Sequence, residues 1–202
     1  LNHERRYWEK LLADSNLTNP EDRAEKLLAL ATLAGVFTSP GQAKPYWMTA
    51  TENFGTPGEL HILFQTLISL YPGKQGLQAV RPDLLGEALV GLTLRRTGAG
   101  NLLDAVLSHD VDKSVRHHAL TVLARLSDQR PNLHETLINA LSRHFAHCYH
   151  EILLVAVETG GDLSLLAEAA FNRLPRAAQS QLAGLLGCLN RCSLKSQYSL
   201  PA

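Results

Sequence analysis

The stretch LYPGKQGLQAVRPDLLGEALV, residues Leu70–Val90, lies between two segments whose apolar residues have helical spacing. The Pro-Gly pair at 72–73 ends the first segment, and residues 74–81 have no helical period. Gly76 permits a turn, and the apolar residues after it favour a short strand or hairpin arm. Pro82 then opens another helix. The sequence therefore predicts a folded interruption between two helices.

Before this interruption the apolar pattern predicts four helices. Proline stands at the start of three of them, glycine ends the second, and Pro45 is expected to limit the third. The predicted helices cover residues 3–14, 20–34, 40–48 and 57–70. Three helices and then a turn-rich strand segment, over residues 22–81, are the order of a winged-helix domain.

After the interruption, the sequence predicts pairs of helices. The strongest internal boundary is Thr97-Gly98-Ala99-Gly100, and the later helices are predicted at 101–108, 113–127, 132–148, 151–159, 162–174 and 176–190. Short helices joined by tight turns favour a stack of helical hairpins over one closed bundle. The predicted fold is therefore all-α: a winged-helix-like module in residues 1–97, followed by an α-solenoid segment of HEAT or TPR type in residues 98–202.

One segment of the second part resembles the second helix of a HEAT-type repeat. In HDVDKSVRHHALTVLARL, residues 109–126, an Asp precedes a Val-Arg pair and an Ala-Leu face. Asp112 is predicted to cap the helix while the apolar face packs on the next hairpin. One clear copy is present, without the Trp/Gly/Tyr pattern of TPR repeats. The matching residues are Asp112, Val115, Arg116, Ala119, Leu120 and Leu123.

The first half also resembles a protein family. LNHERRYWEKLL at residues 1–12, AEKLLALATLAGVFTSPGQA at 24–43 and the stretch from Leu70 are similar to the region after the nucleotide-binding module of bacterial STAND-type signal-transduction ATPases. These proteins are relatives of the NACHT and NB-ARC proteins. The most specific matching residues are Tyr71, Pro72, Gly73, Arg81, Pro82, Asp83, Leu84, Leu85, Gly86 and Glu87.

This resemblance implies a regulatory function. In that family the winged helix packs on the nucleotide module at rest and swings away on activation, and helical repeats read a ligand or partner, which is a bistable rigid-body motion. The sequence contains no phosphate loop of the form G-x-x-x-x-G-K-[ST]. We therefore expect a fragment without catalysis or cofactor, whose partner is its own upstream nucleotide-binding domain or another protein.

Composition limits the binding partners and the cellular compartment that we expect for this chain. Lys plus Arg and Asp plus Glu both number 19, and the segment 57–70 contains no Lys or Arg, so nucleic-acid binding is disfavoured. Three cysteines, Cys148, Cys188 and Cys192, are not a disulfide framework and favour a reducing, cytoplasmic location. No apolar run has the roughly 20 residues of a membrane span, so no membrane partner is expected. In HERRYWEK, residues 3–10, the charges are predicted to face solvent while both aromatic residues pack inward.

The segment RHFAHCYHE, residues 143–151, suggests a metal site. On a helix, His144, His147 and Cys148 share a face, and zinc accepts such ligands with a fourth position open. His150 lies on another face and the H-E-x-x-H order is absent. The favoured interpretation is structural, with a buried cysteine and histidines near a helix C-terminal end.

A Ser/His/Asp hydrolase is a further alternative on the histidine-rich helices. It lacks an oxyanion loop and a nucleophile elbow. A third alternative, from a different class, is a free-standing helical-repeat scaffold. The residues from which a hydrolase site would be drawn are His109, Asp110, Asp112, Ser114, His117 and His118.

Overall fold

The protein is all-helical over the residues that the structure describes, which are 2–13, 17–51, 56–73, 76–78, 83–96 and 99–183 of the computed structural model. Isolated β-bridges are the only β-structure in these ranges. A 3-10 turn, Pro131–Leu133, precedes α8, and residues 176–183 are also helical. The all-α prediction is confirmed. The helices are α1 (Asn2–Leu12), α2 (Pro20–Ala34), α3 (Pro40–Ala50), α4 (Pro57–Leu70), α5 (Asp83–Thr93), α6 (Ala99–Leu107), α7 (Lys113–Gln129), α8 (His134–Thr159) and α9 (Leu163–Asn172).

The chain divides into two compact units, Leu1–Val106 and Leu107–Ala202. The boundary predicted between residues 97 and 98 lies outside the described residues, as do Cys188 and Cys192. Each unit has its own set of buried apolar side chains.

In the first unit α2 is the central helix, because it packs against α1, α3, α4 and α5. Its run LLALATLA, residues 27–34, is buried on all sides, as expected for a helix that is apolar all round. Trp8 of α1 and Trp47 of α3 are also fully buried. The expected inward packing of Tyr7 is wrong, because this side chain is 50% exposed. The side chains of neighbouring helical residues point about 100° apart, so Tyr7 faces away from the core into which Trp8 packs.

Local signals explain the starts of α3 and α4. The Ser39 hydroxyl accepts a hydrogen bond from the Gln42 N–H at 3.2 Å. Thr56 and Glu59 form a capping box, in which each side chain accepts from the other residue's N–H, at 3.3 and 3.0 Å. Proline follows both cap residues, which confirms these two predicted starts.

The prediction that Pro45 limits α3 is wrong, because the helix continues to Ala50. A proline removes one backbone hydrogen bond and crowds the preceding turn. The next turn places Trp47 and Ala50 in the core, at 1% exposure each, and this burial offsets the local cost.

The two helices predicted at 132–148 and 151–159 are one continuous helix, α8. Neither proline nor glycine interrupts the chain between them. Cys148 and Ile152, four residues apart, are both fully buried and keep one face in the core across the supposed break. The predicted break is therefore wrong.

Two segments of the first unit, one after α2 and one after α4, pair through backbone hydrogen bonds. The Phe37 N–H donates to the Leu77 carbonyl at 3.1 Å, and the Leu77 N–H donates to the Phe37 carbonyl at 2.9 Å. Leu77 also forms an antiparallel bridge with Pro72. We call Phe37, Pro72, Gly76 and Leu77 the β-bridge corner. The arm predicted after Gly76 thus takes the form of bridges that join the end of α4 to the segment after α2.

In the second unit α8 packs against both α7 and α9, and α7 also contacts α9. The buried faces include Leu120 and Leu123 of α7, Phe145 of α8 and Phe171 of α9. The two phenylalanine rings meet edge to face with their centres 5.7 Å apart. Among the described helices, none combines the length and the apolar character needed to cross a bilayer.

Candidate functional sites

The first half of the family motif ties α1 to the end of α4. The Trp8 Nε1–H donates to the Tyr71 hydroxyl at 2.9 Å, and this hydroxyl donates to the Glu4 carboxylate at 2.5 Å. Burial, with the Glu4 hydrogen bond, raises the pKa of Tyr71 above its usual value, so the phenol keeps its proton. Tyr71 therefore holds two helices together through a hydrogen-bond relay.

The glycine at the β-bridge corner is required by a close backbone approach. Gly76 has φ +153°, and a β-carbon there would overlap the Phe37 carbonyl oxygen and lie 2.8 Å from the Thr38 Cα. The Gly73 N–H donates to the Gly76 carbonyl at 2.8 Å, which closes the turn. The Pro-Gly and second Gly of the motif region thus allow two backbones to meet where a side chain would separate them.

The second half of the motif begins α5. Arg81 and Pro82 lie outside the described residues, and α5 begins at Asp83. Leu84 is 68% exposed, whereas Glu87 is buried. Of the remaining residues, Leu85 is half-buried and Gly86 is buried.

A charge network that sequence reasoning missed joins α1, α2 and the end of α5. Glu25 is buried at 2% exposure, and its carboxylate lies 3.0 Å from the Arg96 Nη1 and 3.5 Å from the Arg5 Nε. Both arginines also reach Asp22, at 2.9 and 3.0 Å. The available signal was an acid two residues before the apolar run 27–34, because a buried carboxylate requires a partner. The network is structural, and Arg96 is paired with Asp22 and Glu25.

In the second unit, His147 and Cys148 meet one backbone carbonyl. The His147 Nε2 lies 2.7 Å from the Leu107 oxygen, and the Cys148 thiol donates to the same oxygen at 3.2 Å. The ring of His147 contacts those of His144 and His109 edge to face, at centre distances of 5.3 and 5.9 Å. The predicted shared face of His144, His147 and Cys148 is therefore present. The polar side-chain atoms of His147 and Cys148 contact the Leu107 carbonyl oxygen.

The pKa shifts of His147 and Cys148 fit a structural role. Burial lowers the pKa of His147, and its neighbours His144, Arg116 and His109 add to this effect. Burial raises the pKa of the Cys148 thiol to about 12, so no thiolate is available near neutral pH. In the part of the chain that is described, no three His, Cys, Asp or Glu side chains are arranged to hold a metal ion.

The residues of the hydrolase alternative form separate hydrogen-bonded or ion pairs. Ser114 donates through its hydroxyl and its N–H to Asp112, at 2.6 and 2.8 Å, which confirms the predicted cap of α7. The His117 Nε2 lies 3.2 Å from Glu158, and the His109 Nδ1 lies 3.2 Å from Asp110. His118 is exposed on α7. Ser114, His117 and His109 thus contact three different acids rather than one another.

The arginine of the HEAT-like pattern, Arg116, contacts both a buried acid and the turn before α7. The side chain of Arg116 is 6% exposed and lies 2.8 Å from the Glu151 carboxylate. Its Nη1 donates to three carbonyls of the turn before α7, those of Ser108, His109 and Val111, at 3.4, 3.2 and 2.6 Å. Arg116 thus fixes the turn before α7 and joins it to α8.

Comparison of the chain with protein-family models, with curated proteins and with solved structures found no match.

Proposed function

We propose that the chain is the regulatory and sensor part of a nucleotide-operated signalling switch of STAND type. In this proposal the first unit is a winged-helix-like module, and the second is the beginning of a HEAT-like or TPR-like helical arm. The chain itself performs no catalysis and acts by recognising a protein or ligand.

The observation that carries this proposal is the pairing of Phe37 with Leu77. A winged helix consists of three helices and a β-turn that pairs back to the segment between the first two helices. Here α2, α3 and α4 precede the turn, and Phe37 follows α2. The two backbone hydrogen bonds of that pair support this topology, because an ordinary loop between α4 and α5 does not need them.

The surface of α4 favours a protein partner over DNA. The helix contains no Lys or Arg, and its exposed residues include His61, Ile62 and Gln65. Phosphate neutralisation supplies most of the affinity of groove binders, so this helix lacks the main source of DNA affinity. Ile62, at 43% exposure, is suited to an apolar protein contact.

The second unit offers apolar side chains for recognition. Leu154 and Val157 of α8, three residues apart, are 56% and 68% exposed, and Leu165 of α9 is 47% exposed. Large apolar side chains on neighbouring turns of one helix are characteristic of protein-binding surfaces. They support the sensor role that we assign to this unit.

Nucleotide binding by the product of the whole reading frame tests this function. The sequence upstream of Leu1 is examined for a phosphate loop, and the full product is titrated with a fluorescent ADP analogue. We expect a phosphate loop, and nucleotide binding that is lost when its lysine is replaced by alanine. A full product without such a loop and without nucleotide affinity overturns the proposal and favours the scaffold alternative.

A further inference from the structure

A shallow cleft of the first unit opens between α1 and the end of α4. Its volume is about 280 Å³, and its lining residues are Glu4, Tyr7, Leu70 and Tyr71. These residues combine a carboxylate, two phenol rings and an aliphatic side chain. The cleft is independent of the proposed function, which does not use it.

The carboxylate of this cleft is held in place, and within the described ranges it pairs with no cation. One oxygen of Glu4 accepts the Tyr71 hydroxyl at 2.5 Å, and Trp8, which is 1% exposed, fixes that hydroxyl from the other side. Among the described residues, the neighbouring cations lie elsewhere. Arg5 pairs with Asp22 at 2.9 Å, and Arg6 lines a separate cleft. Glu4 therefore presents an oriented negative charge to an incoming ligand.

The residues that line the cleft favour one type of cation over another. Tyr7 is 50% exposed and offers a ring face, while Leu70 is half-buried and offers aliphatic surface. A guanidinium group is planar and weakly hydrated, stacks on aromatic rings and donates in-plane hydrogen bonds to carboxylates. An ammonium group is more strongly hydrated and gains less from the ring. A ring and a carboxylate that line the same cleft therefore favour arginine over lysine.

We propose that this cleft binds an arginine side chain of a partner protein, with the guanidinium group against Tyr7 and donating to Glu4. The tie through Tyr71 fixes the carboxylate before binding, which lowers the ordering cost of the contact. A single exposed ion pair with a cation–π contact gives a dissociation constant of about 10–100 mM for an isolated arginine residue. The site would contribute one contact within a larger interface.

The test uses N-acetyl-arginine amide as the probe and the Trp8 indole N–H as the reporter in NMR spectra. Trp47, in another helix, is the internal control. The neutral isostere N-acetyl-citrulline amide and N-acetyl-lysine amide are titrated in parallel. Glu4→Gln keeps an oxygen that accepts the Tyr71 hydrogen bond and removes the charge. Glu9→Gln, on the same helix and exposed, removes the same charge away from the cleft.

We expect saturable shifts of the Trp8 signal with the arginine probe, at least threefold weaker binding in Glu4→Gln, and unchanged binding in Glu9→Gln. The citrulline probe should not bind, and the lysine probe should bind more weakly. Equal weakening in both variants would show a general charge effect and overturn the proposal. Equal binding of citrulline or of lysine, or an unshifted Trp8 signal at 100 mM probe, would overturn it as well.

Discussion

At the scale of single residues, Gly76 is a position where the first unit does not accommodate a side chain. Its φ of +153° and the approach of the Phe37 carbonyl leave no room for a β-carbon. The backbone conformation and the contact both belong to the corner that distinguishes the proposed winged helix from a plain helical stack. A substitution at this residue therefore tests the corner directly.

Gly76→Ala should lower the free energy of unfolding by about 2 kcal/mol or more, because the residue must both strain the backbone and displace Phe37. Urea unfolding followed by tryptophan fluorescence measures it, since Trp8 and Trp47 both lie in the first unit. Gly58→Ala is the control, because a β-carbon there meets only the Thr56 hydroxyl, at 3.7 Å. Equal effects of the two substitutions would contradict the close approach.

Glu151→Leu should cost about 3–5 kcal/mol of stability, because it leaves the Arg116 guanidinium buried without its counter-ion. Thermal unfolding followed by circular dichroism is the measurement. Glu158→Leu removes another acid of α8, whose partner His117 is partly exposed, and should cost less than about 1 kcal/mol. If both variants melt alike, Arg116 does not depend on Glu151.

Residues with local partners were predictable, and those with distant partners were not. Asp112 bonds to a residue two positions away, so the sequence alone indicated its cap. Glu25 pairs with Arg96, which is distant in sequence, and only the packing of α5 on α2 brings them together. Tyr71 was identified by resemblance, while its contacts with Glu4 and Trp8 had no local signal.

At the scale of elements, α8 shows how packing overrides an apparent break. Its buried face runs from Leu137 to Ala156, and the turn around Tyr149 lies in the middle of the helix. The prediction failed because the polar residues at that turn interrupt the apolar pattern without stopping the backbone. Helix starts marked by proline and a cap were predicted correctly, because their causes lie within one turn.

Tyr149→Pro should destabilise the second unit by about 3 kcal/mol or more, since it removes a hydrogen bond in a helix interior and clashes with the preceding turn. Circular dichroism during thermal unfolding detects the loss. Lys113→Pro is the control, because it stands at the first position of α7, after Asp112 at φ −58° and ψ 142°, a conformation that suits the residue before proline. A Tyr149→Pro protein as stable as this control would indicate a real break.

Acidification should destabilise the second unit through His147. Its pKa is lowered in the folded state, so below the unfolded value of about 6.5 the unfolded chain binds more protons. The contribution is therefore complete above that pH and is lost as pH falls towards the folded pKa. The titratable and charged groups facing it are His144 on α8, Arg116 on α7 and His109 in the turn before α7.

The melting temperature should fall less between pH 7.5 and pH 5 in His147→Gln than in the unsubstituted protein. Glutamine can still donate to the Leu107 carbonyl but does not titrate. His150→Gln, on the same helix and exposed, should retain the full fall. The role of His147 is contradicted if its variant loses as much stability on acidification as the unsubstituted protein.

At the scale of the whole molecule, the sequence indicated an all-α chain and the structure confirms it. Helical period and proline-marked starts are sufficient for that level of description. The β-bridge corner was predictable only as an arm after a turn, because its pairing partner Phe37 lies two helices earlier. The functional proposal rests on the resemblance, since the polar contacts of the described residues hold the fold together.

The central claim is that the first unit moves as a body when a nucleotide domain changes state. Hydrogen exchange of the full reading-frame product, with ADP and with a non-hydrolysable ATP analogue, tests it most directly. We predict altered exchange in the exposed parts of α3, α4 and α5, while the buried α2 stays equally protected in both states. Identical exchange throughout residues 1–106 with the two nucleotides would contradict the claim.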